Sequence, residues 1–187
     1  SKNPKNRVLL IEAGTLETFF QLIPLSAPLH IESRYNWGYL AERQPNACQG
    51  LVDERCRYPR GKALGGTSVI NGMLYTRGSP GDFKHWKQLG VDGWDYYEHV
   101  LPAFKKSEKS FLKFKNRGNF HGKNGSLAVS SNSFETPMSK IFIDGLKAMN
   151  LPEIDFNADD SIGFGRMQSN TKNGKRQSAY EAFLEPI

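Results

Sequence analysis

This 187-residue chain has only two cysteines, and it lacks long apolar runs and a strong excess of one charge. The two cysteines, Cys48 and Cys56, could form one short-loop disulfide or stay free as buried thiols, but without neighbouring histidines they cannot build a closed zinc site. Because no apolar run approaches the ~18 residues of a membrane helix, we expect no membrane span. The net charge of +6 suits an anionic ligand but is far below that of a dedicated nucleic-acid-binding protein.

Several short motifs of phosphate binding and catalysis are also missing. The Gly-Lys pairs at 61–62 and 174–175 lack the upstream glycine of a P-loop, and the Gly-x-Gly at 163–165 lacks the third glycine of a dinucleotide-binding loop. No Gly-x-Ser-x-Gly nucleophile elbow occurs. Residues 1–6 are typical of a loop inside a fold and not of a signal or transit peptide.

A buried strand is predicted at residues 7–14. Four successive apolar residues, 8–11, precede Glu12 and Gly14, which is typical of a parallel strand covered on both faces. A carboxylate at the tip of such a strand is where nucleotide-binding sheets hold a ribose through its two hydroxyls. A charged residue at the mouth of an ordinary strand is the alternative interpretation of Glu12.

A glycine-rich segment at residues 60–74 suggests a ligand-binding bend. The glycines at 65–66 allow a close approach of the backbone to a ligand, and Thr67 and Ser68 follow at a predicted short helix start that could bind a pyrophosphate. Arg60 and Lys62 would add positive charge beside it. The alternative is a glycine turn that only joins two elements, which leaves the basic pair unexplained.

Other elements follow from caps and periodicity. Residues 15–59 show no sustained periodicity, and a stretch of this length predicts an excursion that covers a ligand. Asn124-Gly125 predicts a turn into a strand at 126–130. Four helices are expected: one from Ser79-Pro80 to Gly90, one from Asp95 that Pro102 interrupts, one from Thr136-Pro137 with Ile141, Phe142, Gly145, Leu146 and Met149 on one face, and one at 179–184 capped by Ser178.

The basic run from Lys105 to Arg117 is interpreted as a solvated, partly mobile loop. Its interleaved aromatic residues, Phe111, Phe114 and Phe120, could instead form a stacking strip for nucleic acid, but no groove-fitting motif accompanies them.

The four histidines are expected to be surface or structural residues and not catalytic bases. They are His30, His85, His99 and His121. For His121, which lies in a glycine-flanked loop, a role in a turn is expected.

Residues 61–71, together with Tyr75 and Gly78, resemble the first diagnostic motif of the glucose-methanol-choline (GMC) family of FAD-dependent oxidoreductases, in particular its insect glucose-dehydrogenase-like members. Lys84 departs from the motif, which usually has an acidic or small polar residue there. The resemblance extends over almost the entire chain and includes further segments: 4–14, 55–62, Gly93-Trp94, 100–104, 120–122 and 176–184.

The resemblance implies an α/β (α+β mixed) fold, with an FAD/NAD(P)-binding Rossmann-like domain and the start of a GMC-type substrate domain. Residues 1–150 would form a partial FAD-binding domain with a cofactor-covering excursion at 15–59, and residues 151–187 would begin the substrate-binding domain. The family's first strand and Gly-rich loop are expected before residue 1. Its second diagnostic motif and catalytic histidine are expected after residue 187, so we expect no catalytic residue within the chain.

The resemblance also implies a set of FAD contacts. Glu12 would hold the adenosine ribose, and the bend would lie along the pyrophosphate and ribityl region through Gly65, Gly66 and Thr67. Four residues would run beside the isoalloxazine ring: Asn71, Gly72, Met73 and Leu74. The family reaction is oxidation of a CH–OH group by hydride transfer to the flavin, while a histidine takes the hydroxyl proton.

The expected partner is a small alcohol or sugar-like substrate, with no nucleic acid, no metal and no membrane span. The insect resemblance and the glycosylation triplet at 124–126 favour a secreted or extracellular protein. Substrate identity, electron acceptor and oligomeric state stay open. A non-catalytic nucleotide-binding or interaction fragment, and a flavin-containing relative of hydroxynitrile lyases, are the alternative functions.

Overall fold

The computed structural model describes residues 5–113, 119–131, 134–159 and 162–187, in which short helices and short strands are mixed. The α/β character expected from the sequence is therefore confirmed. The α-helices are α1 Phe19–Leu22, α2 Ala27–His30, α3 Pro80–Gln88, α4 Leu101–Ser107 and α5 Pro137–Ala148. The strands are β1 Tyr39–Leu40, β2 Arg57–Tyr58, β3 Glu108–Ser110, β4 Leu127–Ser131, β5 Gln168–Ser169, β6 Thr171–Lys172 and β7 Lys175–Arg176. Short 3-10 helices span Pro24–Ser26, Val52–Glu54 and Gly66–Val69, and π-helical turns span Tyr96–Val100 and Tyr180–Leu184.

The largest described sheet has the order β3-β4-β5. β3 and β4 are parallel, β4 and β5 are antiparallel, and the β6-β7 hairpin follows directly after β5. The predicted turn into a strand at 126–130 is confirmed, because β4 begins at Leu127 and buries Ala128 and Val129. The sheet takes strands from both sides of the expected domain boundary at 150/151, which stays a prediction.

The strand predicted at residues 7–14 is wrong for this structure. No described residue forms a strand beside this segment, and its apolar side chains are exposed, with Leu9 and Ile11 each 83% accessible. A strand exists only as part of a hydrogen-bonded ladder, and no neighbour for this one lies within the described residues. The segment meets the rest of the chain just after its end, where Thr15 forms an isolated parallel bridge with Ala63.

The excursion at 15–59 contains more structure than its sequence predicts. It forms α1, α2 and two 3-10 turns, and β1 pairs with β2 in an antiparallel ladder. Cys48 and Cys56 are joined in a disulfide, with their Cα atoms 5.4 Å apart, which decides between the two states left open by the sequence.

α3 is confirmed with its expected cap, because the Ser79 side chain accepts a hydrogen bond from the backbone N–H of Asp82. The interruption expected at Pro102 is wrong. A π-helical turn at Tyr96–Val100 runs directly into α4, so Pro102 occupies the first turn of a new helix, where it needs no N–H partner. Phe83, Tyr96 and Val100 form the core of this helical region.

α5 also has its predicted start at Thr136, whose side chain accepts from the N–H of Ser139. The residues expected to share one face of α5 are nevertheless largely uncovered, since Ile141 is 64% and Phe142 is 67% exposed. The periodicity predicted the helix correctly, but no described element packs on that face. No helix in the described residues is both long and apolar enough to cross a membrane.

The interpretation of 105–117 as a loop is corrected over its first part. Lys105 and Lys106 lie in the last turn of α4, and Lys109 lies in β3. Residues 114–118, which include the predicted stacking residue Phe114, lie outside the described residues.

Candidate functional site

The acid-tipped segment and the glycine bend meet in the structure. A Cβ added to Gly14 would collide with the carbonyl group of Lys62, so only glycine permits this approach. The backbone N–H of Leu64 donates to the carbonyl of Thr15 at 3.0 Å. Glu12 is exposed, and its Oε1 accepts a hydrogen bond from the N–H of Gly14 at 2.7 Å. The carboxylate predicted to hold a ribose therefore lies two residues from the contact with the bend.

The two glycines of the bend have different surroundings. Gly65 and Gly66 both adopt positive φ, of 105° and 60°. A Cβ on Gly65 would lie 3.1 Å from Tyr180, whereas a Cβ on Gly66 would meet nothing within 4 Å. Gly65 is thus required for packing inside the chain, and Gly66 leaves the space open for a ligand.

The hydroxyl groups after the bend mainly hold the bend itself. Thr67 Oγ1 accepts from the N–H of Gly61 at 3.2 Å, which leaves its hydroxyl proton for another acceptor. Ser68 Oγ donates to the carbonyl of Gly65 at 2.6 Å and accepts from the N–H of Ala179 at 2.8 Å. Of the two hydroxyls considered for a pyrophosphate, the structure commits that of Ser68 to the protein.

The basic residues before the bend lie against aromatic rings of the excursion. The Arg60 guanidinium lies 4.3 Å from the centre of the Tyr58 ring, and Lys62 Nζ lies 4.6 Å from that of Trp37. Such contacts are attractive because the face of the ring is electron-rich. They tie both basic side chains to rings of the excursion, and the expected role of these charges beside a pyrophosphate stays a prediction.

Asn71 presents its carboxamide in one defined orientation. Its Oδ1 accepts from Arg176 Nη1 at 2.8 Å and from the N–H of Met73 at 3.0 Å. Guanidinium and backbone N–H groups are donors only, so the oxygen and not the nitrogen must face them. The Asn71 side chain is therefore held with its oxygen engaged, and the residue is exposed to solvent.

Arg176 is a residue of this site that the sequence did not reveal. It is 1% exposed, and its guanidinium also donates to the carbonyls of Gln21 and Ser68, each at 2.9 Å. Burial lowers the pKa of Arg176, and the nearby carboxylate of Glu17 opposes that effect. Hydropathy places arginine on the surface, so no sequence signal predicts an arginine buried here.

The residues after Asn71 are tied to the sheet. Met73 adopts a positive φ of 60°, which is strained for a residue with a side chain. Its carbonyl accepts from the N–H of Asn170 at 2.8 Å, and the N–H of Tyr75 donates to the carbonyl of Gln168 at 2.9 Å. The segment predicted beside the flavin ring is thereby fixed against β5. Leu74 forms a bridge with Ser169 in this pairing, and its side chain is exposed.

Gly72 is exposed, and a Cβ added to it would meet nothing within 4 Å. The eight predicted FAD contacts stay a prediction: seven lie within residues 65–74 of the sequence, and Glu12 lies two residues before Gly14, which packs against Lys62.

A second polar cluster lies away from the bend and centres on His121. Its Nδ1 is 2.7 Å from Glu108 Oε1, and its Nε2 is 2.7 Å from Asp155 Oδ2. Burial lowers the pKa of His121, but the hydrogen bonds and charges of Asp155 and Glu108 together raise it to about 9. Both ring nitrogens lie within hydrogen-bond distance of carboxylate oxygens, as in a protonated ring that donates to two acidic residues.

The same cluster contains Arg77, which is 3% exposed and whose Nη2 lies 2.5 Å from Glu108 Oε2. Asp155 also accepts from Gln168 Nε2 at 2.6 Å. The turn expected for His121 is replaced by an ionic bridge between β3 and the segment before β5. Within the described residues no group of three histidines, cysteines or acids is arranged to hold a metal ion.

The other histidines have no catalytic partner among the described residues. His30 is buried, with its Nε2 2.9 Å from Ser26 Oγ, and is structural. His85 and His99 are exposed.

Two curated relatives each align with the whole chain. Oxygen-dependent choline dehydrogenase of Rhizobium etli (strain CIAT 652) is 40% identical over 190 residues, and glucose dehydrogenase (FAD, quinone) of Drosophila melanogaster is 39% identical over 186 residues. The chain covers 33% of the first relative and 30% of the second, so it spans about a third of the length of the relatives it matches.

Solved structures agree with this picture. Pyridoxine 4-oxidase from Mesorbium loti superposes with a TM-score of 0.85 at 30% identity, covering 98% of this chain and 35% of that one. Formate oxidase of Aspergillus oryzae superposes with a TM-score of 0.81 at 22% identity, covering 98% and 33%, which shows a shared fold. The family model for GMC oxidoreductases matches residues 8–187, nearly the full length. The chain belongs to the GMC oxidoreductase family.

Proposed function

We propose that this chain is the FAD-binding part of an oxidoreductase that oxidises a CH–OH group of an alcohol or sugar-like substrate. The observation that carries the proposal is the segment 65–74, where an open glycine, an oriented carboxamide and a strained Met73 are held rigidly between the bend and β5. In a cofactor-dependent enzyme the cofactor supplies the redox chemistry, and the protein must hold it in a fixed position.

The residues present fit FAD in three respects. Gly66 and Gly72 leave open space beside the backbone, as a close approach to a flat ring or a pyrophosphate requires. The Asn71 amide group has N–H donors for acceptor atoms of the ring, and the exposed Glu12 carboxylate can accept both hydroxyl protons of a ribose. When bound, FAD would accept the hydride of the substrate. The role of the chain is to orient the ring and to exclude water from it.

We propose that the apolar segment 8–11 becomes a strand of a Rossmann-like parallel sheet when strands outside this chain lie beside it. Its exposure, with Val8 at 73%, supports this, because four adjacent uncovered apolar residues are typical of a surface that is buried in the complete fold. The catalytic histidine of the family would likewise lie outside this chain. Residues 1–150 and 151–187 would then be parts of the FAD-binding and substrate-binding domains.

We also propose that the protein is secreted. The disulfide between Cys48 and Cys56 and the exposed acceptor Asn124 of the glycosylation triplet support this location.

Expression of the chain within a protein of its relatives' length tests the proposed function. The purified protein should show flavin absorbance at about 450 nm. Under anaerobic conditions, an alcohol substrate should bleach this absorbance. The isolated 187-residue chain should retain FAD poorly, because the other binding elements are lacking. Tight stoichiometric FAD on the isolated chain would contradict the proposed division of roles. Substrate turnover without bleaching would favour the lyase alternative.

A further inference from the structure

Tyr75 follows directly on the segment predicted beside the flavin ring, and both of its backbone polar groups are bound. Its N–H donates to the carbonyl of Gln168 at 2.9 Å, and its carbonyl accepts from Asn157 Nδ2 at 3.0 Å. The Asn157 side chain is buried, and its Oδ1 also accepts from the N–H of Arg77 at 2.9 Å. The backbone is therefore clamped at the point where it leaves the predicted flavin segment.

Side-chain hydrogen bonds connect this clamp to His121. Asn157 Nδ2 donates to Gln168 Oε1 at 2.7 Å, and Gln168 Nε2 donates to Asp155 Oδ1 at 2.6 Å. The other oxygen of Asp155, Oδ2, lies 2.7 Å from His121 Nε2. A continuous series of contacts thus runs from the Tyr75 carbonyl to the imidazole ring.

A second path returns from His121 to the same tyrosine. His121 Nδ1 lies 2.7 Å from Glu108 Oε1, and Glu108 Oε2 accepts from Arg77. Arg77 Nε then donates to the Tyr75 hydroxyl at 3.0 Å. The contacts form one closed network of seven residues: Tyr75, Arg77, Glu108, His121, Asp155, Gln168 and Asn157.

The charges of the closed network balance only while His121 is protonated. Besides the contact with His121, Glu108 accepts two hydrogen bonds through Oε2, and Asp155 accepts two through Oδ1. These donors stabilise ionised carboxylates, which are acceptors only, so both nitrogens of His121 donate. Arg77 and His121 then supply two positive charges against two negative ones. Both carboxylates are buried, where a charge without its partner is costly.

Other charged groups face His121 from its half-buried side. It lines a pocket of about 660 Å³ together with three lysines: Lys105, Lys106 and Lys123. Their ammonium groups disfavour a positive charge on the imidazole, and burial also lowers its pKa. The hydrogen bonds and charges of Asp155 and Glu108 outweigh these effects and raise the pKa of His121 to about 9.

The tyrosines around the closed network stay neutral where His121 loses its proton. Tyr97 lines the same pocket, and its hydroxyl donates to Asp159 at 2.6 Å, which together with a little burial raises the pKa of Tyr97 to about 12. Burial raises the pKa of Tyr75 and of Tyr96 as well. Among these groups, it is therefore His121 that changes charge between pH 7 and 10.

We propose that His121 is a positioning residue for the bound flavin: its imidazolium keeps the closed network neutral and intact, and the network fixes Met73 and Leu74 beside the flavin ring through the clamp at Tyr75. This inference rests on the proposed function, because it concerns the same cofactor site. Loss of the ring proton leaves a buried carboxylate without its donor, so the clamp loosens and the surroundings of the flavin change.

Visible circular dichroism of the flavin in the full-length protein tests the proposal, because this signal reports how the protein holds the flavin ring. From pH 7 to 10 the band should lose about half of its intensity, with a midpoint at about 9, and should recover when the pH is returned to 7. The far-ultraviolet signal of the fold should stay constant. A network that only stabilises the fold would leave the flavin band unchanged.

A flavin band that is constant up to pH 10 would overturn the positioning role and leave the proposed function intact. A full-length protein that binds no flavin would contradict the proposed function, and this inference with it.

Two histidine variants assign the change to its group. His121→Gln should already show at pH 7 the weakened band of the wild-type protein at pH 10, because glutamine carries no charge. His85→Gln is the matched control, at an exposed position on α3, and should titrate like the wild type. Ionisation of the flavin itself would occur in every variant, so a midpoint at about 9 that persists in His121→Gln would refute the assignment.

A compensating substitution tests the charge balance. His121→Gln combined with Asp155→Asn removes one positive and one negative charge, and the two new amide groups can still hydrogen-bond to each other and to Glu108. This double variant should recover the wild-type flavin band at pH 7 and keep it up to pH 10. A double variant no better than His121→Gln alone would refute the role of charge balance. If either variant fails to fold, the titration of the wild-type protein still decides the proposal.

Discussion

At the scale of single residues, Arg176 connects two separate parts of the chain by donating to three oxygen acceptors. Its guanidinium joins the carbonyls of Gln21 and Ser68 to the carboxamide of Asn71. The contact with the Gln21 carbonyl is buried, so that acceptor depends on Arg176 and not on water, whereas the contacts with Ser68 and Asn71 are partly buried. The orientation of the Asn71 side chain is therefore fixed in part by a residue more than a hundred positions away.

Replacing Arg176 by alanine should cost about 3 kcal/mol of unfolding free energy, since it leaves buried acceptors without donors. Urea denaturation of the full-length protein measures this cost. Arg166→Ala is the control, because Arg166 is half exposed in its pair with Glu135 and should cost less than about 1 kcal/mol. Similar costs for both variants would contradict the bonding assigned to Arg176.

Replacing Asn71 by leucine should lower flavin occupancy or shift the flavin spectrum, because leucine has no N–H to donate to the ring. The fold should be largely retained, as Asn71 is exposed. The absorbance ratio of flavin to protein measures the effect, with Asn46→Leu as a control at an exposed position outside the site. Unchanged flavin content and turnover would refute the placement of Asn71.

His121 should make stability depend on pH. Its pKa in the folded protein is about 9, above its ordinary value of 6.5, so its stabilising contribution is full below pH 6.5 and is lost as the pH rises through 9. The loss should approach about 3 kcal/mol.

The unfolding free energy measured from pH 6 to 10 should therefore fall in the wild-type protein. The fall should be much smaller in His121→Gln, whereas His85→Gln, at an exposed position on α3, should behave like the wild type. A wild-type profile that rises over this range would contradict the ionic bridge.

At the scale of elements, local signals predicted what local interactions decide. The caps at Ser79 and Thr136 and the turn before β4 were all predictable, because each is made within a few residues of sequence. The helix continuing through Pro102 was not, since a π-helical turn has no sequence pattern of its own.

The candidate site divides in the same way. The bend at 65–66 and the position of Asn71 follow from the sequence and its resemblance to a family. The partnership with Arg176, and the bridge from His121 to Glu108 and Asp155, join distant segments and so could not be predicted from local patterns.

The disulfide between Cys48 and Cys56 should stabilise the folded protein through the excursion at residues 15–59. Changing Cys48 and Cys56 together to serine should lower the unfolding free energy by about 2.5 kcal/mol, because the oxidised loop restricts the unfolded chain. Thermal denaturation of the full-length protein, with and without reductant, measures this. The reduced wild-type protein serves as the control and should match the double variant. No difference between oxidised and reduced protein would show that the two cysteines are not joined in solution.

At the scale of the whole molecule, the exposed apolar surfaces lie where this chain has no neighbour for them. The segment 8–11 and the face of α5 around Ile141 and Phe142 consist of apolar side chains that are exposed. Four aliphatic side chains of segment 8–11 would each contribute about 1.5–3 kcal/mol if buried. Because the chain spans about a third of the length of its relatives, we propose that further parts of a protein of that length cover these surfaces.

Amide hydrogen exchange distinguishes this explanation from an intrinsically exposed segment. Amides of residues 8–11 should exchange quickly in the isolated chain and be strongly protected in the full-length protein, since sheet hydrogen bonds form only when neighbouring strands are present. The amides within α3 are the internal control, because that helix is complete in both molecules and should be protected in each. Equally fast exchange of residues 8–11 in the full-length protein would exclude a strand there. It would also exclude the proposed parallel sheet, and with it the proposal that Glu12 binds a ribose at the tip of that strand.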